Sequence, residues 1–279
     1  MKLLLMPNLQ KDGVISCVKE ITKLNLDAEF LMVEAKKEYF PDFNITFGEF
    51  DKLIDDCDFC VAIGGDGTII HTSKHAVLKN KPVIGINLGR LGFLSAIEPK
   101  EISLLRKLKT MDYLIEERMM LTVIHKSKNG ERIYHALNDA VLSKGAIAKM
   151  VDLDISCNGK EVGAYRADGI VFSTPTGSTA YNLSAGGPII DATIDCIALT
   201  PVAPHSAFGR TIIFNGESEI TAKPLAENQE IYLTVDGEKG IPLEFGDEVR
   251  ILKSKMSVKL INFTGKSFYQ VLNDKLLNK

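Results

Sequence analysis

The segment that decides the fold is Gly64-Gly65-Asp66-Gly67-Thr68. It follows the apolar run Cys-Val-Ala-Ile at 60–63, which predicts a short buried strand. It precedes residues 69–78, whose apolar positions share one face of a predicted helix. A strand that turns through glycines into a helix directs backbone N–H groups and a positive helix end at one point, which suits a phosphate. The segment therefore predicts a strand–turn–helix unit with an anion-binding turn.

The acid inside this turn is the first candidate catalytic residue. Asp66 would repel a phosphate unless it binds a metal ion, accepts a proton from a hydroxyl group, or does both. A tight turn that contains aspartate is also common in α/β proteins without any function. Three glycines around one acid at the carboxyl end of a strand favour a functional role for Asp66, with Gly67 allowing close approach of a ligand.

The chain up to residue 97 alternates predicted strands and helices. Strands are predicted at 3–6, 28–33, 59–63 and 82–87, and helices at 14–24, 47–54 and 69–78. Such alternation predicts a Rossmann-like parallel sheet with helices on both faces. Ligands bind such sheets at the carboxyl ends of the strands, where Gly64–Thr68 and a second glycine-rich segment, 87–93, both lie. We therefore expect an α/β domain at 1–97.

Beyond residue 98 the pattern becomes mostly β, after one predicted helix at 99–109. Strands are predicted at 114–125, 132–142, 151–157, 170–173, 194–199, 211–214, 231–235 and 249–261. Asn158-Gly159 and Asp236-Gly237 are strong hairpin turns. We expect a mostly-β domain at 98–253, and a tail at 254–279 that packs back on the first domain through a helix at 268–277.

Composition excludes some classes of function. The 279 residues carry a formal net charge of −3, 45% are apolar and 25% are charged, so no nucleic-acid or membrane partner is indicated. The apolar start, Met1 to Pro7, is too short for a signal peptide and predicts a first strand, so we expect a cytoplasmic protein. Among five scattered cysteines, Cys57 and Cys60 have CxxC spacing without the second pair that a zinc site needs.

The most unusual composition lies at 165–188. There a predicted strand leads into the hydroxyl-rich turn 173–179, then into a predicted short helix, and ends at Gly186-Gly187-Pro188. Small residues let a ligand approach the backbone, and hydroxyl groups supply hydrogen bonds. A Ser/Thr-rich loop selected only for turn formation would have the same composition. Its presence together with the Asp66 turn favours a binding function.

Taken together, five segments resemble the successive signature blocks of the NAD kinases, in the expected order and over nearly the whole chain. They are Gly64–Thr68, Asn87-Leu88-Gly89-Arg90-Leu91-Gly92-Phe93-Leu94, Asn138-Asp139, 168–188, and Thr200-Pro201-Val202-Ala203-Pro204-His205-Ser206. The first block is shared with lipid kinases and 6-phosphofructokinases. The block that ends in Gly186-Gly187-Pro188 is far more specific.

This resemblance implies an α/β domain followed by a β-sandwich, assembled as a homotetramer or homodimer. The implied reaction transfers the terminal phosphoryl group of ATP, or in some members polyphosphate, to the adenosine 2′-hydroxyl of NAD, giving NADP. A divalent metal ion, Mg²⁺ by expectation, would accompany the phosphates, since no all-protein metal cage is visible in the sequence.

The resemblance also implies the site residues. Asp66 would be the general base for the 2′-hydroxyl, Asp168 would lie near the nicotinamide, and Glu238 corresponds to a position used across a subunit contact. The full set of expected substrate-binding residues is Asp66, Gly67, His71, Asn138, Asp139, Lys149, Arg166, Asp168, Thr179, Ala180, Tyr181, Asn182, Leu183, Ser184 and Glu238. His71 and His75 are four residues apart on one helix face, but no third metal ligand accompanies them.

Two other functions remain open at this point. A lipid kinase of the diacylglycerol type would share Gly64–Thr68, but it needs a pocket for acyl chains, whereas the hydroxyl-rich turn suits a polar dinucleotide. A non-catalytic dinucleotide sensor could use the same fold, but it has no need for an acid at position 66.

Overall fold

The computed structural model describes residues 1–89, 92–94, 97–145, 149–205, 209–227 and 229–277. Arg90, Leu91 and Ser206, which belong to the quoted signature blocks, lie outside the described residues. The chain divides into two compact units, each described by itself. Unit 1 is Met1–Glu117 with Val258–Lys279, and unit 2 is Arg118–Ser257.

Unit 1 is built on a parallel sheet. Its strands are β1 (Lys2–Pro7), β2 (Glu29–Val33), β3 (Thr46–Gly48), β4 (Phe59–Gly64) and β5 (Val83–Asn87). Its first helices are α1 (Val14–Lys23), α2 (Phe50–Asp56), α3 (Asp66–Leu78) and α4 (Lys107–Thr110), with 3₁₀-helices at Glu34–Tyr39 and Pro99–Arg106. The strand order is β5-β4-β1-β2-β3, all parallel, and Leu260 pairs in parallel with Val83 on β5. The predicted Rossmann-like α/β fold is confirmed.

The hydrophobic core of unit 1 determines where the unit ends along the sequence. On α1, the buried residues Val14, Cys17, Val18 and Ile21 have the i, i+3, i+4, i+7 spacing of a core-facing helix stripe. The segment predicted as one helix at 99–109 is mainly 3₁₀, and its Ile102, Leu105 and Leu108 are buried in the same core. Because these side chains are buried in the core of unit 1, that unit continues to Glu117, whereas the sequence pattern placed the boundary at residue 97.

Unit 2 is a β-sandwich. Its strands are β6 (Leu114–Ser127), β7 (Gly130–Ala136), β8 (Asp139–Lys144), β9 (Val151–Cys157), β10 (Lys160–Ala167), β11 (Gly169–Ser173), β12 (Cys196–Val202), β13 (Ile212–Asn215), β14 (Ile220–Pro224), β15 (Ile231–Val235), β16 (Ile241–Leu243) and β17 (Glu248–Asn262), of which β6 and β17 run past the unit's ends. One antiparallel sheet has the order β13-β12-β11-β8-β15-β16, and β10-β9-β14-β17 follow one another in another. Leu153 and Ile155 of β9 share one core with Phe172 of β11 and Leu199 of β12.

The turns of unit 2 follow from their residue types. Asn158-Gly159 joins β9 to β10 with φ values of 51° and 73°, and Asp236-Gly237 follows β15 with 49° and 70°. Two successive left-handed residues form the turn whose twist matches a hairpin, and Asn, Asp and Gly tolerate that conformation best. The prediction of one strand at 132–142 is wrong, because the ladder breaks at Leu137 and Asn138 between β7 and β8.

The tail of the chain belongs to unit 1. Helix α6 (Phe268–Leu272) starts at a reciprocal cap in which the Ser267 side chain accepts from the Gln270 N–H and the Gln270 side chain accepts from the Ser267 N–H. A single π-helical turn, Asn273–Leu277, follows it. Throughout the described segments, every helix falls short of the length and apolarity that crossing a bilayer requires.

Candidate active site

The glycine-rich turn of unit 1 closes tightly between β4 and α3. A side chain on Gly64 would place its Cβ 2.3 Å from the Thr68 Oγ1, so a glycine is required there. The Asn8 side-chain amide, just past β1, donates to the same Oγ1 at 3.3 Å. Helix α3 begins at Asp66, three residues before the predicted start at Ile69, so the acid occupies the first turn of the helix. A negative side chain is stabilised at that position by the helix dipole.

The Asp66 carboxylate is held by the backbone of a distant segment. Its Oδ2 accepts from the Phe93 N–H at 2.8 Å and its Oδ1 accepts from the Leu94 N–H at 3.3 Å. A Cβ on Gly92 would lie 1.7 Å from the Asp66 Oδ1, so the carboxylate occupies the space that any other residue at 92 would fill. The glycine and the two N–H groups together fix the direction of the acid.

A cavity of about 430 Å³ opens beside this turn, between the end of β1 and α3. Its polar lining includes Asn8, Lys36, Thr68, His71 and Thr72, together with the Gly67 backbone. The Lys36 ammonium donates to the Pro7 carbonyl, and burial lowers the pKa of Lys36. The Thr72 hydroxyl is fully buried and has no hydrogen-bond partner within the described part of the chain. Ammonium, hydroxyl and amide groups in one cavity suit an anionic oxygen ligand.

The two histidines of α3 form an aromatic stack instead of a metal pair. The His71 and His75 rings lie 4.9 Å apart, edge to face, and His75 packs in the same way on Phe50. Over the described ranges, no group of three or more His, Cys, Asp or Glu side chains could hold a metal ion. His71 therefore stays a candidate for ligand contact at the cavity, while His75 has a packing role.

In unit 2, one carboxylate organises the strand break at Asn138. The Asp236 side chain accepts from the backbone N–H groups of Leu137, Asn138 and Asp139 at 2.9, 2.7 and 3.1 Å. Three N–H groups at the break between β7 and β8 are thereby satisfied, and these bonds anchor the backbone of Asn138 and Asp139. The local pattern at Asp236-Gly237 predicts only a turn, because no neighbouring residue shows that the Asp236 carboxylate binds residues almost one hundred positions earlier.

Replacing Asp236 with asparagine should destabilise unit 2 by about 1–3 kcal/mol, because the new NH₂ group faces a backbone donor and leaves it unsatisfied. Asparagine tolerates the left-handed conformation of this position, so backbone strain is not part of the change. Urea unfolding with matched m-values measures the effect. Glu227→Gln, at an exposed position of the same unit, removes one charge and should shift the midpoint hardly at all. Equal midpoints for the two variants would contradict the assignment.

The hydroxyl-rich turn packs directly on Asn138. A Cβ on Gly177 would lie 2.1 Å from the Asn138 carbonyl oxygen, so the two backbones touch. The Thr174 hydroxyl donates to the Leu137 carbonyl at 2.6 Å and accepts from the Gly177 N–H at 3.0 Å. Two segments that the sequence singled out separately are thus brought together inside unit 2.

The segment predicted to contact the dinucleotide is a 3₁₀ turn, Thr176–Thr179, followed by one α-helical turn, α5 (Tyr181–Ser184). Asn182 is fully buried. Its amide donates to the Ser178 and Pro188 carbonyls at 3.3 and 3.1 Å, and its oxygen accepts from Thr200 at 2.6 Å. This side chain holds the turn in shape. Tyr181 and Ser184 are exposed, and Thr179, Ala180 and Leu183 are half-buried.

The remaining predicted residues are charged groups of unit 2. Asp168 pairs with the Lys144 ammonium at 2.8 Å, a partner that no sequence pattern predicted. Arg166 lies 3.8 Å from the Asp152 carboxylate and is largely exposed. Lys149 is exposed in the loop before β9, and Glu238 is exposed after β15.

Comparison with known proteins agrees with this architecture. Residues 14–113 match the family model described as the ATP-NAD kinase N-terminal domain, and residues 137–263 match the ATP-NAD kinase C-terminal domain. The NAD kinase of Natranaerobius thermophilus is 34% identical over 276 residues, 98% of this chain and 96% of that protein. The NAD kinase of Clostridium beijerinckii is 39% identical over 254 residues, 89% of each chain.

Solved structures agree as well. The crystal structure of yeast NADH kinase complexed with NADH superposes with a TM-score of 0.88 at 26% identity, covering 99% of this chain and 87% of that one. An NAD kinase from Archaeoglobus fulgidus in complex with ATP gives 0.75 at 26% identity, covering 99% and 98%.

The parallel sheet with its acid-bearing turn and the sandwich with its hydroxyl-rich turn define a phosphotransferase with an alcohol group as acceptor. The chain belongs to the NAD kinase family. The comparisons support this assignment and not a lipid kinase or a non-catalytic sensor.

Proposed function

We propose that this chain transfers the terminal phosphoryl group of ATP to the adenosine 2′-hydroxyl of NAD, with Asp66 as the general base. One observation carries the proposal: the Asp66 carboxylate is fixed by the Phe93 and Leu94 N–H groups at the first turn of α3. A carboxylate held in one direction by two N–H donors is positioned to accept a proton from a substrate hydroxyl group.

Asp66 retains the capacity to accept a proton. An ionised carboxylate offers about four lone-pair positions, and the Phe93 and Leu94 N–H groups occupy one on each oxygen. In the proposed reaction the substrate 2′-hydroxyl donates its hydrogen bond to this carboxylate. The oxygen of the 2′-hydroxyl then forms a bond to the terminal phosphorus, ADP leaves with the electrons of the broken P–O bond, and the proton passes to Asp66.

The cavity beside Gly67 suits the phosphates of the donor. Lys36 supplies positive charge, Thr68 and Thr72 supply hydroxyl groups, and the first turn of α3 supplies N–H groups. Phosphoryl transfer depends mainly on positioning and on neutralising charge, and these groups supply both. His71, on the same cavity, is proposed as a further contact to a substrate.

A divalent metal ion fits the donor set. Mg²⁺ is commonly bound through one or two carboxylates and substrate phosphates, without a cage of protein ligands. The described residues offer no such cage, and Asp66 is the carboxylate at the turn. The ion would supply neutralisation of the phosphate charge when bound.

The dinucleotide is assigned to unit 2. Its proposed contacts are Asn138, Asp139, Lys149, Arg166, Asp168, Thr179, Ala180, Tyr181, Asn182, Leu183 and Ser184. The fixed Asn138–Asp139 backbone suits ribose hydroxyl groups, and the exposed Tyr181 ring offers a face for stacking. Asn182 would act through the shape of the turn, because its own amide is engaged internally.

Further features complete the proposal. The protein is a homotetramer or homodimer in which Glu238 lies at a subunit contact, and it is located in the cytoplasm. The α/β domain carries the proposed base, and the β-sandwich domain binds the dinucleotide. Polyphosphate is the alternative donor.

The purified protein incubated with Mg²⁺, ATP and NAD should form NADP, detected with an NADP-specific dehydrogenase. Parallel reactions with polyphosphate or NADH measure the choice of donor and acceptor, and a reaction with diacylglycerol tests the lipid alternative. If the protein bound NAD but formed no NADP with either ATP or polyphosphate, the proposal would be contradicted and a sensor would be favoured.

A further inference from the structure

The tail of unit 1 carries a buried lysine beside the Asp66 carboxylate. The Lys275 residue is only 8% exposed, and no other lysine in the described part of the chain is buried. Lysine is almost never buried to this degree unless it has a partner. It lies in the π-helical turn Asn273–Leu277, a distortion that occurs frequently at functional sites.

Phe93 links this lysine to the proposed base. The Lys275 Nζ lies 3.4 Å from the centroid of the Phe93 ring, while the Phe93 N–H donates to the Asp66 carboxylate at 2.8 Å. One residue thus contacts the acid with its backbone and the ammonium with its ring. A cation on an aromatic face is held electrostatically, and the ring also removes water from one side of it.

The charge balance around Lys275 is incomplete. Burial lowers the pKa of Lys275 to about 8, and the charge of Asp66, facing it from α3, raises that pKa only in part. On its own element, the neighbouring Asp274 carboxylate lies 3.4 Å from the Lys266 ammonium. Lys2, Lys79 and Lys100 behave oppositely, because hydrogen bonds to carboxylates raise their pKa values. A buried cation that its surroundings compensate only partly is suited to bind an incoming anion.

We propose that Lys275 is a catalytic residue of the phosphoryl transfer, whose ammonium binds an oxygen of the transferring phosphoryl group next to Asp66. The inference rests on the proposed function. In this step Lys275 stays protonated: the 2′-hydroxyl proton passes to Asp66, the new P–O bond forms, and the bond to ADP breaks. The ammonium then interacts with negative charge on the equatorial oxygens, where its contribution is largest in a water-poor site.

The test compares Lys275→Met, Lys275→Arg and the matched control Lys266→Met, which removes an exposed charge from the same tail. With Mg²⁺, ATP and NAD, Lys275→Met should lower kcat by roughly 100-fold, as loss of one charge-stabilising donor does, with the KM for NAD nearly unchanged. Lys275→Arg should recover part of kcat, and Lys266→Met should match the parent.

A pH profile separates this role from a structural one. The parent kcat/KM for ATP should decline above about pH 8 as Lys275 of the free enzyme loses its proton. In Lys275→Arg that alkaline decline should move upward, because arginine stays charged. Lys275→Met should lack the part of the alkaline decline that is caused by deprotonation of Lys275. At pH 7 the melting temperature of Lys275→Met should equal or exceed that of the parent, since a partly compensated buried charge is removed.

Three outcomes would overturn the inference: a kcat of Lys275→Met within twofold of the parent, the same alkaline decline in Lys275→Arg as in the parent, or a lower melting temperature of Lys275→Met with equal losses in Lys266→Met. The parent reaction serves as the separate check on the proposed function. If the parent forms NADP and Lys275→Met does so equally well, this inference fails alone. If the parent forms none, the kinase assignment fails first.

Discussion

Asp66→Asn should lower kcat for NADP formation by roughly two orders of magnitude or more, as loss of a general base does. The amide has almost the shape of the carboxylate, and its oxygen can still accept from the Phe93 N–H. It cannot accept a proton from the 2′-hydroxyl at neutral pH. Initial rates at saturating ATP and NAD measure the change, and titration with NAD should give an affinity within about threefold of the parent.

The matched control for this prediction is Asp51→Asn. Asp51 is also an acid in the first turn of a helix, α2, and it is exposed. Its replacement removes the same charge and should leave kcat unchanged. If Asp66→Asn kept kcat within tenfold of the parent while folding normally, Asp66 would not be the base.

Gly92→Ala should lower kcat by roughly 100-fold, because it displaces the proposed base without replacing it. The added Cβ would lie 1.7 Å from the Asp66 Oδ1, so the carboxylate must move away from its two N–H donors. A displacement of about 1 Å in a reacting group is enough for a loss of this size. Overpacking should also destabilise unit 1 by about 1–3 kcal/mol. Steady-state kinetics and urea unfolding measure the two effects.

Gly89→Ala is the control from the same segment. A Cβ at Gly89 would have only an ordinary contact, 3.8 Å from the Asn87 Oδ1, so both kcat and stability should stay near those of the parent. Equal kinetics for Gly92→Ala and Gly89→Ala would mean that the position of the Asp66 carboxylate does not control the rate.

The sequence predicted the parts of the site that depend on local pattern. The strand, turn and helix around Asp66 were predictable because glycine, aspartate and apolar periodicity all lie within twenty residues. The helix start at Asp66 was missed, since apolar periodicity begins only at Ile69. The hairpin turn at Asn158-Gly159 was predicted, yet β10 after it was not, because most of its residues are exposed or half-buried and lack clean alternation.

What the sequence could not supply is contact between distant segments. The Asp66 carboxylate is oriented by residues 93 and 94, and Asp236 binds residues 137–139. Lys275 would ordinarily be assigned to a solvated face. Such contacts depend on the tertiary fold, whereas propensity and periodicity describe neighbours along the chain. The single predicted strand at 132–142 failed for the same reason, since Asp236 takes the N–H groups that would have continued it.

The parallel sheet of unit 1 is completed from the far end of the sequence, where Leu260 pairs with Val83 and the tail brings Lys275 toward Asp66. During synthesis on the ribosome, the first 117 residues therefore emerge long before the strand that covers β5. A prematurely released chain would expose that sheet edge, a known hazard for aggregation, and would lack Lys275. Unit 1 can therefore fold completely only after residues 258–277 have been synthesised.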